Sequence, residues 1–214
     1  PVDIIVGQIE AVLADIGADV IKTGMLGSAS IIESVADTLE RIAPDVPRVI
    51  DPVMLAKGGH PLVTEDGIEV LVKRLIKGAA VITPNLPEAQ FLTGLSISSV
   101  KDMEKAVGPV RALGAKAVLL KGGHAVSQEV TDLLITSDYV ERFTSPRLDT
   151  RSTHGTGCTL ASAVAARLAQ GLSLSAATRE AQKFVHTAIR TAPGFGRGHG
   201  PLNHAHTFTN GQGG

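Results

Sequence analysis

The only cysteine of this chain stands at the head of a run of small residues, Asp149-Thr-Arg-Ser-Thr-His-Gly-Thr-Gly-Cys-Thr-Leu-Ala-Ser-Ala163. Gly155 and Gly157 turn the chain, and a helix of small apolar residues then opens, from about Cys158 to Leu168. The first N–H groups of a helix have no intrahelical partner and carry the positive end of its macrodipole, so the turn is an anion site. A thiol placed there has its thiolate stabilised, which makes Cys158 a candidate acid/base or nucleophilic group beside an oxyanion or phosphate. The same residues also suit a plainer role, a tight turn for close helix packing with Cys158 as a small core residue.

Other polar residues sit where strands should end. Asp51, before Pro52, is a candidate metal ligand or base, or else the cap of a turn. Asn85 and Glu88, three residues apart, suit Mg²⁺ beside phosphate oxygens but equally suit helix or turn capping. Lys121 ends the apolar run Ala117-Val-Leu-Leu. A lysine there either reaches solvent or meets an anion, and Gly122-Gly123 would let the backbone approach that anion. Lys57-Gly-Gly-His60 has the glycines of a mobile lid or of a surface loop. His124 and His154 read as loop histidines, and His199, His204 and His206 as residues of a loose tail rather than a metal cluster. No Gly-x-x-x-x-Gly-Lys-Ser/Thr loop occurs.

Alternating strands and helices must carry these residues. Helical spacing runs from Pro1 to Ile16 with Asp3 as cap, from Ser28 or Ser30 to about Ile42, from about Glu65 to Ile76, from about Lys101 to Leu113, and from Ser173 or Ser175 to about Thr191. Strands are expected at Ala18–Thr23, Val46–Val53, Ala80–Thr83 and Ala117–Lys121, followed by a hairpin of Val130–Ile135 and Tyr139–Phe143; Pro84 to Glu88 reads as a turn. The pattern predicts one α/β domain over residues 1–214, with a mainly parallel sheet covered on both faces. Ligands of such sheets collect at the carboxyl ends of the strands, where the polar segments fall.

Composition excludes several classes. The 214 residues are 43% hydrophobic and 19% charged, with a net charge of −1. Aromatic residues make up 3%, without tryptophan, so neither the basic field nor the stacking platform of a nucleic-acid binder is present. No apolar run approaches the roughly 20 residues of a membrane span. One cysteine allows no disulfide framework, as expected of a cytoplasmic protein.

In combination, Lys22-Thr-Gly-Met-Leu26, Asp51-Pro-Val-Met54, Thr83-Pro-Asn-Leu-Pro-Glu-Ala89, Leu120-Lys-Gly-Gly-His124, Thr153-His-Gly-Thr-Gly-Cys-Thr159 and Gly198-x-Gly-Pro201 resemble the hydroxymethylpyrimidine and phosphomethylpyrimidine kinases of thiamin biosynthesis. These belong to the ribokinase-like superfamily, with a three-layer α/β/α fold, and the similarity runs from residue 1 to about Phe208. Most of the superfamily has aspartate as base after the glycine pair; this subgroup has cysteine, as here. The resemblance implies ATP and Mg²⁺ as cofactors and the hydroxymethylpyrimidine or its phosphate as substrate. Gly155, Thr156 and Gly157 would then form an anion hole for the transferring phosphoryl, with Cys158 as base. Lys121 would contact ATP phosphates, Asn85 and Glu88 with Asp51 would position Mg²⁺, and Met25 and Val53 would wall the pyrimidine pocket. A cytoplasmic homodimer is the family expectation. The family's opening strand and Gly-rich segment are expected to precede Pro1 in the complete protein. Pyridoxal kinase is a close alternative, disfavoured by the lack of a cysteine in Leu55–His60. A non-catalytic pyrimidine- or thiamin-binding domain is an alternative of another class, and a Cys–His hydrolase using Cys158 with His154 or His124 is a third.

Overall fold

The computed structural model describes residues 1–56, 59–125 and 127–209. Lys57 and Gly58 of the expected lid lie outside the described residues. Helix α1 (Val2–Asp15) begins at Pro1 without a side-chain cap, so Asp3 does not cap it and instead places its charge in the first turn. Strand β1 (Ile21–Thr23) leads to α2 (Ala29–Ile42). The cap of α2 is Ser28, whose Oγ accepts from the Ile31 N–H at 3.4 Å. Ser28→Ala should therefore cost about 1 kcal/mol in denaturant unfolding, and Ser30→Ala clearly less; the reverse order would move the cap to Ser30.

Strand β2 (Arg48–Ile50) is followed by α3 (Glu65–Val70), which widens into a π-helical segment, Leu71–Ile76. After β3 (Val81–Ile82), the expected turn at Pro84 to Glu88 is in fact the start of a helix, α4 (Leu86–Thr93). The expected helix Lys101 to Leu113 is split at Ala106 into α5 (Val100–Lys105) and α6 (Val107–Arg111). Strand β4 (Val118–Leu120) precedes the hairpin of β5 (Glu129–Ile135) and β6 (Val140–Pro146). The chain continues through α7 (Thr156–Ala169), α8 (Leu174–Arg190), capped by Ser173, and the short α9 (His206–Thr209).

The described strands form one sheet in the order β1-β2-β3-β4-β5-β6. Its first four members are parallel and the hairpin is antiparallel. Alternation along each strand sends side chains to opposite faces. Ile50, Ile82 and Leu120 point into a core shared with α2 to α6, where Ile32, Leu75, Leu86 and Met103 are fully buried. Val49, Val81 and Leu119 point the other way and meet Leu160 and Val164 of α7 and Val185 of α8. The sheet is thus covered on both faces in a three-layer α/β/α arrangement. The strands are shorter than their apolar runs because Pro47, Pro52 and Pro84 offer no N–H to extend the ladder. At the same rim β1 ends at Thr23, and β2, β3 and β4 are each followed directly by a polar residue, Asp51, Thr83 and Lys121.

Candidate active site

That rim brings together Asp51 after β2, Thr83 after β3 and Lys121 after β4. Lys121 Nζ donates to Asp51 Oδ1 at 2.9 Å, and Thr83 Oγ1 donates to the same oxygen at 2.9 Å. Asp51 is 1% exposed and Lys121 9%. Asp51 Oδ2 is buried and finds no hydrogen-bond partner among the described residues. Taking such a pair out of water costs several kcal/mol per ion, so it is poor stabilising material and points to function. Neither alternative reading of Asp51 as a turn cap nor of Lys121 as a solvent-reaching side chain fits this geometry.

Lys121 also touches the start of α7. A Cβ at Gly157 would stand 3.1 Å from its Nζ, so the ammonium lies close against the open side of this turn and a side chain there would press it back by a few tenths of an ångström. Gly155 takes a left-handed conformation, φ 81°, as the residue before the helix, without a side-chain cap. The N–H groups of Gly155, Gly157 and Cys158 have no acceptor among the described residues. The Thr156 N–H approaches the Thr153 carbonyl at 3.5 Å, to which its hydroxyl donates at 2.8 Å. Unpaired N–H groups at a helix start, with an ammonium alongside, form a preorganised anion cradle.

Cys158 is exposed beside this cradle. Desolvation of its sulfur pushes the thiol above its ordinary range and the Asp51 carboxylate adds to the effect, while the ammonium groups of Lys22 and Lys121 oppose it. Burial and the nearby carboxylate thus act against the stabilisation of the thiolate expected from the helix end. Lys22, not singled out by sequence reasoning, is a second cation facing this sulfur; its ammonium curls back to within 3.0 Å of where a Gly24 Cβ would be.

Asn85 and Glu88 form a complete capping box for α4. Asn85 Oδ1 accepts from the Glu88 N–H at 2.9 Å, and Glu88 Oε2 accepts from the Asn85 N–H at 2.8 Å. Burial pushes the Glu88 carboxyl above the ordinary carboxylate range, against the pull of the Lys121 ammonium. Direct metal ligation by Asn85 Oδ1 or Glu88 Oε2 would break the cap, so the capping reading of this pair accounts for both atoms. No group of three or more His, Cys, Asp or Glu among the described residues is arranged to hold a metal. The tail is packed rather than loose: His204 Nε2 lies 2.9 Å from Thr159 Oγ1, and the buried His206 ring lies 4.6 Å from that of Phe184.

Met25, after β1, is exposed, and Val53 is half-buried, its N–H donating to the Asp51 carbonyl. Neither lines the cavity of about 500 Å³ that opens along the outer face of α7, where Cys158, Thr159, Ser162, Ala163, Phe184 and His204 lie. The charged pair and unpaired N–H groups lie at the strand ends instead, and there the polar chemistry is concentrated. His154 bridges Pro201, its N–H donating to the Gly200 carbonyl at 3.2 Å, so the closing Gly198–Pro201 segment supports the turn before α7.

A parallel α/β sheet with an anion cradle at its carboxyl rim, completed by an antiparallel hairpin, places the chain in the ribokinase-like class. The profile of the phosphomethylpyrimidine kinase family matches residues 1–203, and the chain belongs to that family. It is 44% identical over 199 residues to the hydroxymethylpyrimidine/phosphomethylpyrimidine kinase of Bacillus subtilis, covering 92% of this chain and 73% of that one. It is 46% identical over 204 residues to a thiamine biosynthesis bifunctional protein of Geobacter sulfurreducens, matching 95% of this chain but spanning 41% of that protein's length. Among solved structures it is similar to the pyridoxal kinase of Staphylococcus aureus in complex with AMP-PCP and pyridoxal, with a TM-score of 0.86 and 35% identity, covering 95% of this chain and 73% of that one.

Proposed function

We propose that this chain is the kinase that moves the ATP γ-phosphoryl to the hydroxymethyl group of 4-amino-5-hydroxymethyl-2-methylpyrimidine, and then to the monophosphate so formed. The observation that carries the proposal is the buried Lys121–Asp51 pair set against the unpaired N–H groups that open α7. In the transfer, the bond from the γ-phosphorus to the bridging oxygen breaks and a bond to the hydroxymethyl oxygen forms, while the hydroxyl proton passes to Cys158 Sγ. Such transfers have a loose transition state, so positioning and charge stabilisation contribute more than a strong base. Gly155 and Gly157 supply unpaired N–H groups that meet the transferring phosphoryl, Thr156 adds its own by releasing the long contact to the Thr153 carbonyl, and Lys121 neutralises charge on the ATP phosphates.

Mg²⁺ fits the residues present. The unpartnered, buried Asp51 Oδ2 is an acceptor in want of a cation, and Mg²⁺ takes one or two carboxylates together with phosphate oxygens and waters. Asp51 would hold it directly, and Glu88 and Asn85 through waters that leave the cap intact. Bound there, Mg²⁺ would supply charge neutralisation for the ATP phosphates. Met25 and Val53 would form walls for the pyrimidine ring. The residues described include no helix long and apolar enough to cross a membrane, and a cytoplasmic homodimer is the assembly proposed.

Incubation with ATP, Mg²⁺ and the pyrimidine alcohol should yield ADP and phosphorylated pyrimidine, followed by phosphorus NMR. Side-by-side kinetics on one preparation should give the higher kcat/KM for the pyrimidine than for pyridoxal, in keeping with the match to the phosphomethylpyrimidine kinase family and with a Leu55–His60 segment that carries no cysteine. A higher value for pyridoxal would reassign the substrate, and pyrimidine binding without ADP release would leave a binding domain.

A further inference from the structure

The turn after β4 is held from two sides by side chains outside the proposed chemistry. Asp132 of β5 is buried within the apolar run Val130–Ile135. Its Oδ1 accepts from the Gly122 N–H at 2.8 Å, and its Oδ2 accepts from Gln182 Nε2 of α8 at 2.7 Å. Burial pushes this carboxyl up, while the Gly122 N–H, Gln182 and the Lys121 ammonium draw it back down. Gly122 runs so tightly over β5 that a Cβ would stand 1.9 Å from the Thr131 carbonyl oxygen; Gly123 has open space on its free side. Arg147 grips the outside of the turn, donating from Nη1, Nη2 and Nε to the carbonyls of Gly123, Ala125 and Ser127 at 3.0, 2.7 and 2.7 Å.

A carboxylate buried in a strand costs more than the leucine that would fit there. Both of its hydrogen bonds bear on the site: one fixes the peptide that follows Lys121, the other reaches α8, which packs on α7. We infer that Asp132 is a positioning residue of the nucleotide site, tying the Lys121-Gly122 peptide to α8 and so setting the ammonium against the start of α7. The inference rests on the reading of Lys121 as a phosphate ligand.

Titration with AMP-PCP, together with steady-state kinetics, tests it. Asp132→Ala should weaken AMP-PCP binding and raise the KM for ATP by about tenfold, the worth of one charge-assisted hydrogen bond, with the KM for the pyrimidine unchanged. Asp132→Asn keeps an acceptor for Gly122 and can turn its amide to the Gln182 oxygen, so it should return nucleotide affinity to within about threefold of wild type. In a Lys121→Met background, Asp132→Ala should add little to the loss. Where Asp132→Ala does not fold, Gln182→Leu removes a single donor and should show the same nucleotide-selective weakening. A folded Asp132→Ala protein with wild-type AMP-PCP affinity overturns the inference, as does equal weakening of both substrates or additivity with Lys121→Met. A wild-type protein with no affinity for AMP-PCP overturns the kinase reading itself.

Discussion

Cys158→Ala should lower kcat by about 10²-fold or more, the usual worth of a general base, while AMP-PCP still binds. The cradle does not depend on the sulfur: the N–H groups of Gly155 and Gly157 and the Lys121 ammonium remain. The pH dependence separates a base from a bystander. The sulfur accepts a proton only as thiolate, and desolvation together with the Asp51 carboxylate raises its pKa above the ordinary thiol range. Below that pKa the thiolate fraction grows about tenfold per pH unit, so wild-type kcat/KM should climb through the alkaline range. The climb should vanish in Cys158→Ala. Cys158→Asp, which installs the base of most superfamily relatives, should keep much of the turnover and move the limb to acid pH, because a carboxylate is already ionised at neutrality. Full turnover in the alanine variant would remove Cys158 from the proton transfer and leave the cradle as the sole source of catalysis.

The fold was legible where a periodic run met an unambiguous boundary. The runs that became α2, α7 and α8 combine helical spacing with a serine cap or a glycine turn, and the structure starts those helices within two residues of the expected positions. Helix α4 was missed because Pro84 and Pro87 suggest a turn. Proline in the first helical turn removes only an N–H that would be unpaired anyway, and the Asn85/Glu88 pair, already noted as capping chemistry, was the sign of a helix start. The break at Ala106 and the π-helical segment Leu71–Ile76 have no such marker: side-chain spacing barely distinguishes a wider turn from a regular one. Strand ends were overrun because an apolar residue beyond the ladder looks like one within it.

The site was legible as a set of residue types at strand ends and illegible as a set of contacts. Asp51 and Lys121 are 70 positions apart, and only the parallel alignment of β2, β3 and β4 lets them meet. Whether Asn85 and Glu88 face a ligand or each other was likewise a matter of rotamers, which spacing does not set. Asp132 carried a signal that went unused, a carboxylate inside an apolar strand. Such a residue asks for a partner, and here the partners are a backbone N–H ten residues upstream and an amide fifty residues downstream.

Lys121→Met should destabilise the protein by about 3–5 kcal/mol, the cost of stripping one partner from a buried ion pair. In a chain of this size that is a fall in Tm on the order of 10 °C. Asp51 is 1% exposed, so removing the ammonium leaves a buried carboxylate with only the neutral Thr83 hydroxyl and Cys158 thiol beside it. Asp51→Asn should cost less, because the Lys121 side chain retains 11% exposure and its flexible stem can carry the charge outward. The double variant Lys121→Met, Asp51→Asn removes both charges, and its Tm should lie well above that of Lys121→Met alone. Activity should not follow stability. The double variant lacks both the cation for the ATP phosphates and the carboxylate for Mg²⁺, and its kcat/KM should stay at least about 10²-fold below wild type. Recovery of turnover together with Tm would make the pair a structural device and place the phosphate contacts elsewhere. Recovery of Tm alone is the outcome expected of two charges that the fold holds, at a cost to itself, for the ligand.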